Sequence, residues 1–218
     1  MIAQAIHTIK EELPQGVKLV AVSKFHPSEA IREAYDAGQR LFGESRPQEF
    51  EAKARMLPED IEWHFIGHLQ TNKLKMVLPY VSMVQSVDSG HLLEAIDRWC
   101  RANGKVMDVL LELHLGAEET KQGFTAGEIE SILSERQAYA GVRFRGLMGM
   151  ATNTDDESLI RADFARISSF FQQLRSKFPI FSEFNELSIG MSHDWKIAVE
   201  YGATYIRVGT SIFGERKY

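Results

Sequence analysis

The chain contains a single cysteine, Cys100, which excludes a disulfide framework within the chain and fits a reducing, cytoplasmic setting. No apolar run approaches the ~20 residues needed to cross a bilayer. Residues 1–7 lack a basic segment leading into an apolar one, so neither a membrane span nor a secretory signal is expected. Positive charge is in deficit, with 25 Lys and Arg against 30 Asp and Glu and a net charge of −5. That balance argues against general nucleic-acid affinity, which needs a basic face. Low-complexity tracts, solenoid-length repeats and Pro- or Gly-rich linkers are also missing, so residues 1–218 are expected to form one domain. What remains is 218 residues, 44% of them hydrophobic, enough for one sizeable core. The expected class is a protein that handles small molecules.

Apolar periodicity then alternates along the chain. Ile2, Ile6, Ile9 and Leu13 lie on one helical stripe that Pro14-Gln15-Gly16 ends. Residues 17–23 (VKLVAVS) are apolar on both faces, as a strand covered on both sides should be. His26-Pro27-Ser28 opens a helix running to Gly38, with Ser28 as the expected N-cap. Further strands are expected at 40–43, 61–66, 81–87, 106–115, 142–148, 186–190 and 204–208. Helices are expected between them at 47–56, 71–78, from 88–89 to Gly104, from a capping box at Thr125 and Glu128, over 155–177, and ending near Gly202. Eight strands separated by helices predict parallel βαβ units and an α/β fold. A closed (β/α)₈ TIM barrel with an extra N-terminal helix is the expected architecture, and a doubly wound open sheet is the alternative. Either one places function in the loops at the carboxyl ends of the strands.

Lys24 follows the first strand. An ammonium there faces low dielectric, which lowers its pKa and frees an amine for Schiff-base formation; the plain alternative is a lysine reaching outward from a loop. The seventh strand ends in Gly190-Met191-Ser192, where Ser192 is expected to cap the next helix beside an anion. In the eighth, alternation puts Tyr205, Arg207 and Gly209 on one face, followed by Thr210. Arg207 either points into the barrel mouth or lies solvated outside. Amine, phosphate cradle and inward arginine are together the parts that a pyridoxal 5′-phosphate (PLP) site needs. Other signals have simpler readings. His64 and His68 read as packed or loop histidines and not as metal ligands, and Cys100 reads as packing. His114 reads as facing the mouth or the core, and Gly43-Glu44-Ser45-Arg46 as ligands or turn chemistry. Gly146-Leu147-Met148-Gly149-Met150 reads as lining or core.

These residues also carry a resemblance. Ala21-Val22-Ser23-Lys24 with Pro27, Phe42-Gly43-Glu44 with Gln48-Glu49, and Trp63-His64-Phe65-Ile66-Gly67 with Leu69-Gln70 and Asn72-Lys73 begin it. Glu118, Lys121, Gly123 and Arg145-Gly146-Leu147-Met148 continue it. Leu187-Ser188-Ile189-Gly190-Met191-Ser192 with Asp194, then Gly202 and residues 207–214, complete it. In this order the pieces resemble the PLP homeostasis protein family (YggS-like, or proline synthetase co-transcribed proteins), relatives of the N-terminal barrel of alanine racemase. The resemblance implies that Lys24 holds PLP as a Schiff base. It also implies that Ser192, Gly209 and Thr210 hold the phosphate, and that Arg207 faces the pyridine nitrogen. A guanidinium there keeps the nitrogen unprotonated and weakens the ring as an electron sink. The chain departs from the family at Ser45-Arg46, where Asn-Tyr is usual, and at His114, where asparagine is usual.

Three functions follow as expectations. The leading one is a carrier in PLP homeostasis that exchanges cofactor with PLP-dependent apoenzymes without committed turnover. The second is a PLP-dependent amino-acid racemase. That activity needs a second base, for which His64 or His114 are the candidates. The sequence ends at Tyr218, just after the eighth strand's loop, so the carboxy-terminal domain that supplies a tyrosine base in alanine racemase is not expected. The third is a PLP-independent barrel, either a Schiff-base aldolase using Lys24 or a module for another phosphorylated metabolite.

Overall fold

The structure is a computed structural model that describes residues 1–115, 122–178 and 182–215. Glu118 and Lys121 of the resemblance, and Tyr218, lie outside the described residues. Eight parallel strands close into a barrel in chain order, so the open-sheet alternative is excluded. They are β1 (Lys18–Val22), β2 (Leu41–Glu44), β3 (Glu62–Phe65), β4 (Met83–Val87), β5 (Met107–Glu112), β6 (Val142–Met148), β7 (Glu186–Met191) and β8 (Tyr205–Val208). Closure comes from β1 pairing with β8, with Val20 opposite Arg207.

Strand alternation builds two apolar layers from the same residues. Val20, Leu41, Met83, Leu110, Met148 and Tyr205 pack together inside the barrel. Leu19, Ala21, Phe42, Phe65, Val109, Leu111, Ile206 and Val208 face the other way and pack under the helices. This is why strands such as residues 17–23 read as apolar throughout: both faces are covered.

The helices α1 (Ile2–Glu12), α2 (Ser28–Asp36), α3 (Pro47–Met56), α4 (Leu74–Val77), α5 (Gly90–Ala102), α6 (Ala126–Ser134), α7 (Glu157–Lys177), α8 (Trp195–Glu200) and α9 (Thr210–Phe213) surround it. The extra N-terminal helix, α1, buries Ile6 and Ile9 and packs against α2 and α9. Thr125 and Glu128 form the expected capping box at α6. Ser89 caps α5 through a bond from the Leu92 amide, a contact that contributes about 1 kcal/mol. Two expectations need correction. Ser28 is the first residue of α2 and Pro27 takes the cap position: its ring holds φ near the −71° found there, and it has no side-chain acceptor to bond the helix amides. The helix expected over 71–78 is a 3₁₀ turn (Thr71–Lys73) followed by the short α4. The four-residue α9 was not anticipated.

The amino-terminal end of the barrel is closed by charges that satisfy one another. Lys18 Nζ donates to the Tyr205 hydroxyl at 3.1 Å and to Glu186 Oε1 at 3.4 Å. Arg143 Nε donates to Asp108 Oδ1 at 2.6 Å, and Arg145 lies 3.5 Å from Asp108 and 3.6 Å from Glu183. The carboxyl-terminal end is different.

Candidate functional site

At that end a cavity of about 270 Å³ opens, near the small limit of the ~300–1,000 Å³ typical of ligand pockets. Lys24, Ser192, Arg207, Gly209 and Thr210, the five residues singled out in the sequence, all line it. Val20 and Val22 point inward along β1, and Lys24 continues that alternation one step beyond the strand. The chain turns sharply there. Phe25 takes a left-handed φ of +67°, which costs a residue with a Cβ roughly 1–2 kcal/mol. The His26 amide closes the turn by donating to the Ser23 carbonyl at 3.1 Å.

Arg207 points into the barrel mouth and is 5% exposed. Its guanidinium donates to the Ser188 carbonyl at 2.8 Å, the Ser188 hydroxyl at 2.7 Å and the Gly149 carbonyl at 2.9 Å. Burial pushes its pKa down to about 10, and Glu112 and Asp194 oppose the shift, so it stays cationic near neutral pH. Behind it a hydrogen-bonded line runs down the barrel axis. The Ser188 hydroxyl donates to Gln85 Oε1 at 2.6 Å, and Gln85 Nε2 lies 2.7 Å from His64 Nδ1. The guanidinium is therefore held by the barrel wall before any ligand arrives.

Ser192 does not cap α8. Asp194 takes that position and its carboxylate accepts from the Met191 amide, which frees the serine hydroxyl. That hydroxyl instead accepts from the Gly209 amide at 3.2 Å, joining the loops after β7 and β8. A Cβ on Gly209 would sit 3.1 Å from the Val22 carbonyl, so glycine allows the close approach of β8's end to β1. Gly190, at φ +90°, lets α8 lie directly on β7: a Cβ there would come within 2.6 Å of Ala198.

Several site residues were not anticipated. His26, His193, Ile66 and Met191 complete the lining with Met150, and only the position of the first four in strand-end loops points to it. Glu112 ends β5 beside Arg207, and burial, then Asp88, pushes its pKa up to about 7. Its one sequence signal is an acidic residue closing the apolar run Val109-Leu110-Leu111. Asp88 itself pairs with His68 at 2.7 Å.

Other candidates sit elsewhere. His64 is fully buried inside the barrel, edge-on to Tyr205, and burial lowers its pKa. His114 lies between α6 and α7 with Phe170 and Arg166. Neither borders the cavity, so neither is placed to serve as the second base of a racemase. Ser45 packs against Gly67 and is not part of the lining. Cys100 is buried, and burial pushes its thiol up to about 11, which fits packing. Of the Gly146–Met150 stretch, Leu147 and Met148 are core and Met150 is lining. No group of His, Cys, Asp or Glu among the described residues has metal-ligating geometry, and no described helix is long and apolar enough to cross a membrane.

Residues 1–217 match the family model described as alanine racemase, N-terminal domain. A pyridoxal phosphate homeostasis protein of Aquifex aeolicus is 38% identical over 202 residues, which is 92% of this chain and 88% of that protein. The structure of PipY from Synechococcus elongatus with PLP bound superposes with a TM-score of 0.91 at 39% identity, covering 98% of this chain and 100% of that one. Alanine racemase of Enterococcus faecalis (E. faecalis) shares the fold alone, with a TM-score of 0.75 at 16% identity, over 98% of this chain and 57% of that one.

Proposed function

The chain belongs to the alanine racemase N-terminal domain family and, within it, to the pyridoxal phosphate homeostasis proteins, and from that premise we propose that it is a PLP carrier. Lys24 holds PLP as a Schiff base. Ser192, Gly209 and Thr210 receive the phosphate, and Arg207 faces the pyridine nitrogen. The whole chain acts as one PLP-binding barrel domain in the cytoplasm, and its exchange partners are PLP-dependent apoenzymes.

One observation carries this reading: an amine, a buried guanidinium and a hydroxyl–amide pair border a single cavity of about 270 Å³. The donor set fits PLP group by group. An amine meets an aldehyde, and hydroxyls with a backbone N–H meet a phosphate. When bound, PLP supplies an electron sink. The fixed Arg207 cation keeps a proton off the neighbouring ring nitrogen and so weakens that sink, as suits a carrier.

The test is exchange. Protein loaded with PLP restores activity to a PLP-dependent apoenzyme, and Lys24→Ala, treated the same way, retains no cofactor to give. Racemisation of an amino acid at a rate matching dedicated racemases would contradict the carrier role.

A further inference from the structure

Lys24 sits between two residues, Ser23 and Phe25, whose backbones are gripped from behind the barrel wall. Ser23 faces away from the cavity, toward α3. There Lys53 Nζ donates to the Ser23 carbonyl at 2.8 Å, to Glu44 Oε1 at 2.6 Å and to Glu49 Oε1 at 2.7 Å, using all three ammonium donors. The Ser23 hydroxyl donates to the same Glu44 oxygen at 2.6 Å. On the other side of Lys24, the Phe25 amide donates to Glu49 Oε1 at 2.7 Å. The carbonyl before the Lys24 residue and the amide after it are thus both bound by one side-chain cluster, and none of that cluster lines the cavity.

The cluster is costly to build. The Lys53 side chain is 6% exposed and that of Glu44 is wholly buried. Burial raises the Glu44 pKa, against Lys53 and Ser23, which stabilise the carboxylate. A buried ion pair seldom stabilises a fold more than apolar packing of the same volume. What this one supplies is fixed backbone atoms at a turn whose left-handed φ of +67° at Phe25 needs enforcing. Arg46 closes over the turn, 5.0 Å from the Phe25 ring and 3.9 Å from Glu49.

We infer that Lys53 is a positioning residue for Lys24: with Glu44 and Glu49 it clamps the backbone on both sides of Lys24 and sets the direction in which the amine enters the cavity. The inference rests on the reading of Lys24 as the PLP-bearing amine. Lys53 touches no ligand and acts only through that turn.

The experiment compares wild type with Lys53→Met and with the double variant Lys53→Met, Glu44→Gln, in which the fully buried carboxylate is neutral too. Thermal melting identifies the folded variants, and where the single variant unfolds the double variant carries the comparison. Two probes are used. The first is the rate, and its pH profile, at which PLP becomes fixed to Lys24 under borohydride, read by mass spectrometry. The second is the Kd of pyridoxine 5′-phosphate, an alcohol that fills the phosphate and ring subsites but cannot bond to an amine. The expected result is fixation on Lys24 slowed about tenfold or more, with a shifted pH profile, while pyridoxine 5′-phosphate binds within about twofold of wild type. Wild-type fixation in a folded variant overturns the inference alone, and so does equal weakening of both probes. Failure of the wild-type protein to fix PLP on Lys24 overturns the inference together with the reading beneath it.

Discussion

The two ends of the barrel are both rich in charge, yet Lys18, Arg143 and Arg145 at one end and Arg207 at the other are held in opposite ways. At the amino-terminal end Lys18, Arg143 and Arg145 meet Asp108, Glu183 and Glu186, so cation and carboxylate satisfy each other. At the carboxyl-terminal end Arg207 is held by two carbonyls and a serine hydroxyl, and Lys24 and Arg207 border the same cavity. Self-neutralised charge closes a barrel; charge fixed by neutral groups keeps its field available for a ligand. The difference tells stability residues from ligand residues where composition cannot, because both ends contain the same residue types.

The comparison breaks most visibly at Arg207, the buried cation of the carboxyl-terminal end. Arg207→Met takes the guanidinium donor from the buried Gly149 carbonyl and from Ser188, whose carbonyl keeps the Gly149 amide and whose hydroxyl keeps Gln85, and is expected to cost about 1–3 kcal/mol of stability. It should also weaken PLP binding, so denaturant melts and PLP titrations must both move.

Glu112, beside it, gives a pH test. Its folded pKa is pushed up to about 7 from an ordinary value of 4.5. The folded state therefore holds this proton more tightly than the unfolded chain does. The stabilisation is complete below the unfolded value and is lost as pH rises from about 4.5 to about 7. Glu112→Gln should flatten that slope and raise stability at pH 8 by about 1–3 kcal/mol, read from melts across pH. An unchanged slope would remove Glu112 from the account.

The floor sharpens the contrast. Glu186→Gln takes the carboxylate from Lys18 and is expected to cost about 1–2 kcal/mol of stability with PLP affinity unchanged. At the mouth, Ser192→Ala loses the bond from the Gly209 amide. It should weaken PLP by about 1 kcal/mol, roughly fivefold, and leave the phosphate-free pyridoxal unaffected. Equal losses for PLP and pyridoxal would place the phosphate elsewhere.

How much of this was legible in the sequence follows from which forces are local. The strands read clearly because two buried faces leave continuous apolar runs; strand ends single out Lys24 and Arg207, but whether Arg207 faces the mouth or solvent stays open until the barrel closes. Caps are not legible at Ser28 and Ser192, since Pro27 and Asp194 compete for those positions and a sequence does not show which residue wins. The Lys53 cluster was invisible. Glu49 and Lys53 stand four apart on α3, the spacing of an ordinary surface pair, and only the barrel brings Glu44 and Ser23 to meet them. Glu112 was missed for a similar reason: its altered pKa depends on burial beside Asp88, a tertiary fact.

The central claim is that one amine, at the end of β1, carries the cofactor. Borohydride reduction of the wild-type protein with PLP, followed by peptide mapping, tests it most directly. The account predicts a single reduced adduct, on the peptide containing Lys24, and none in Lys24→Ala. An adduct on another lysine, with Lys24→Ala still fixing PLP at the wild-type level, would contradict it.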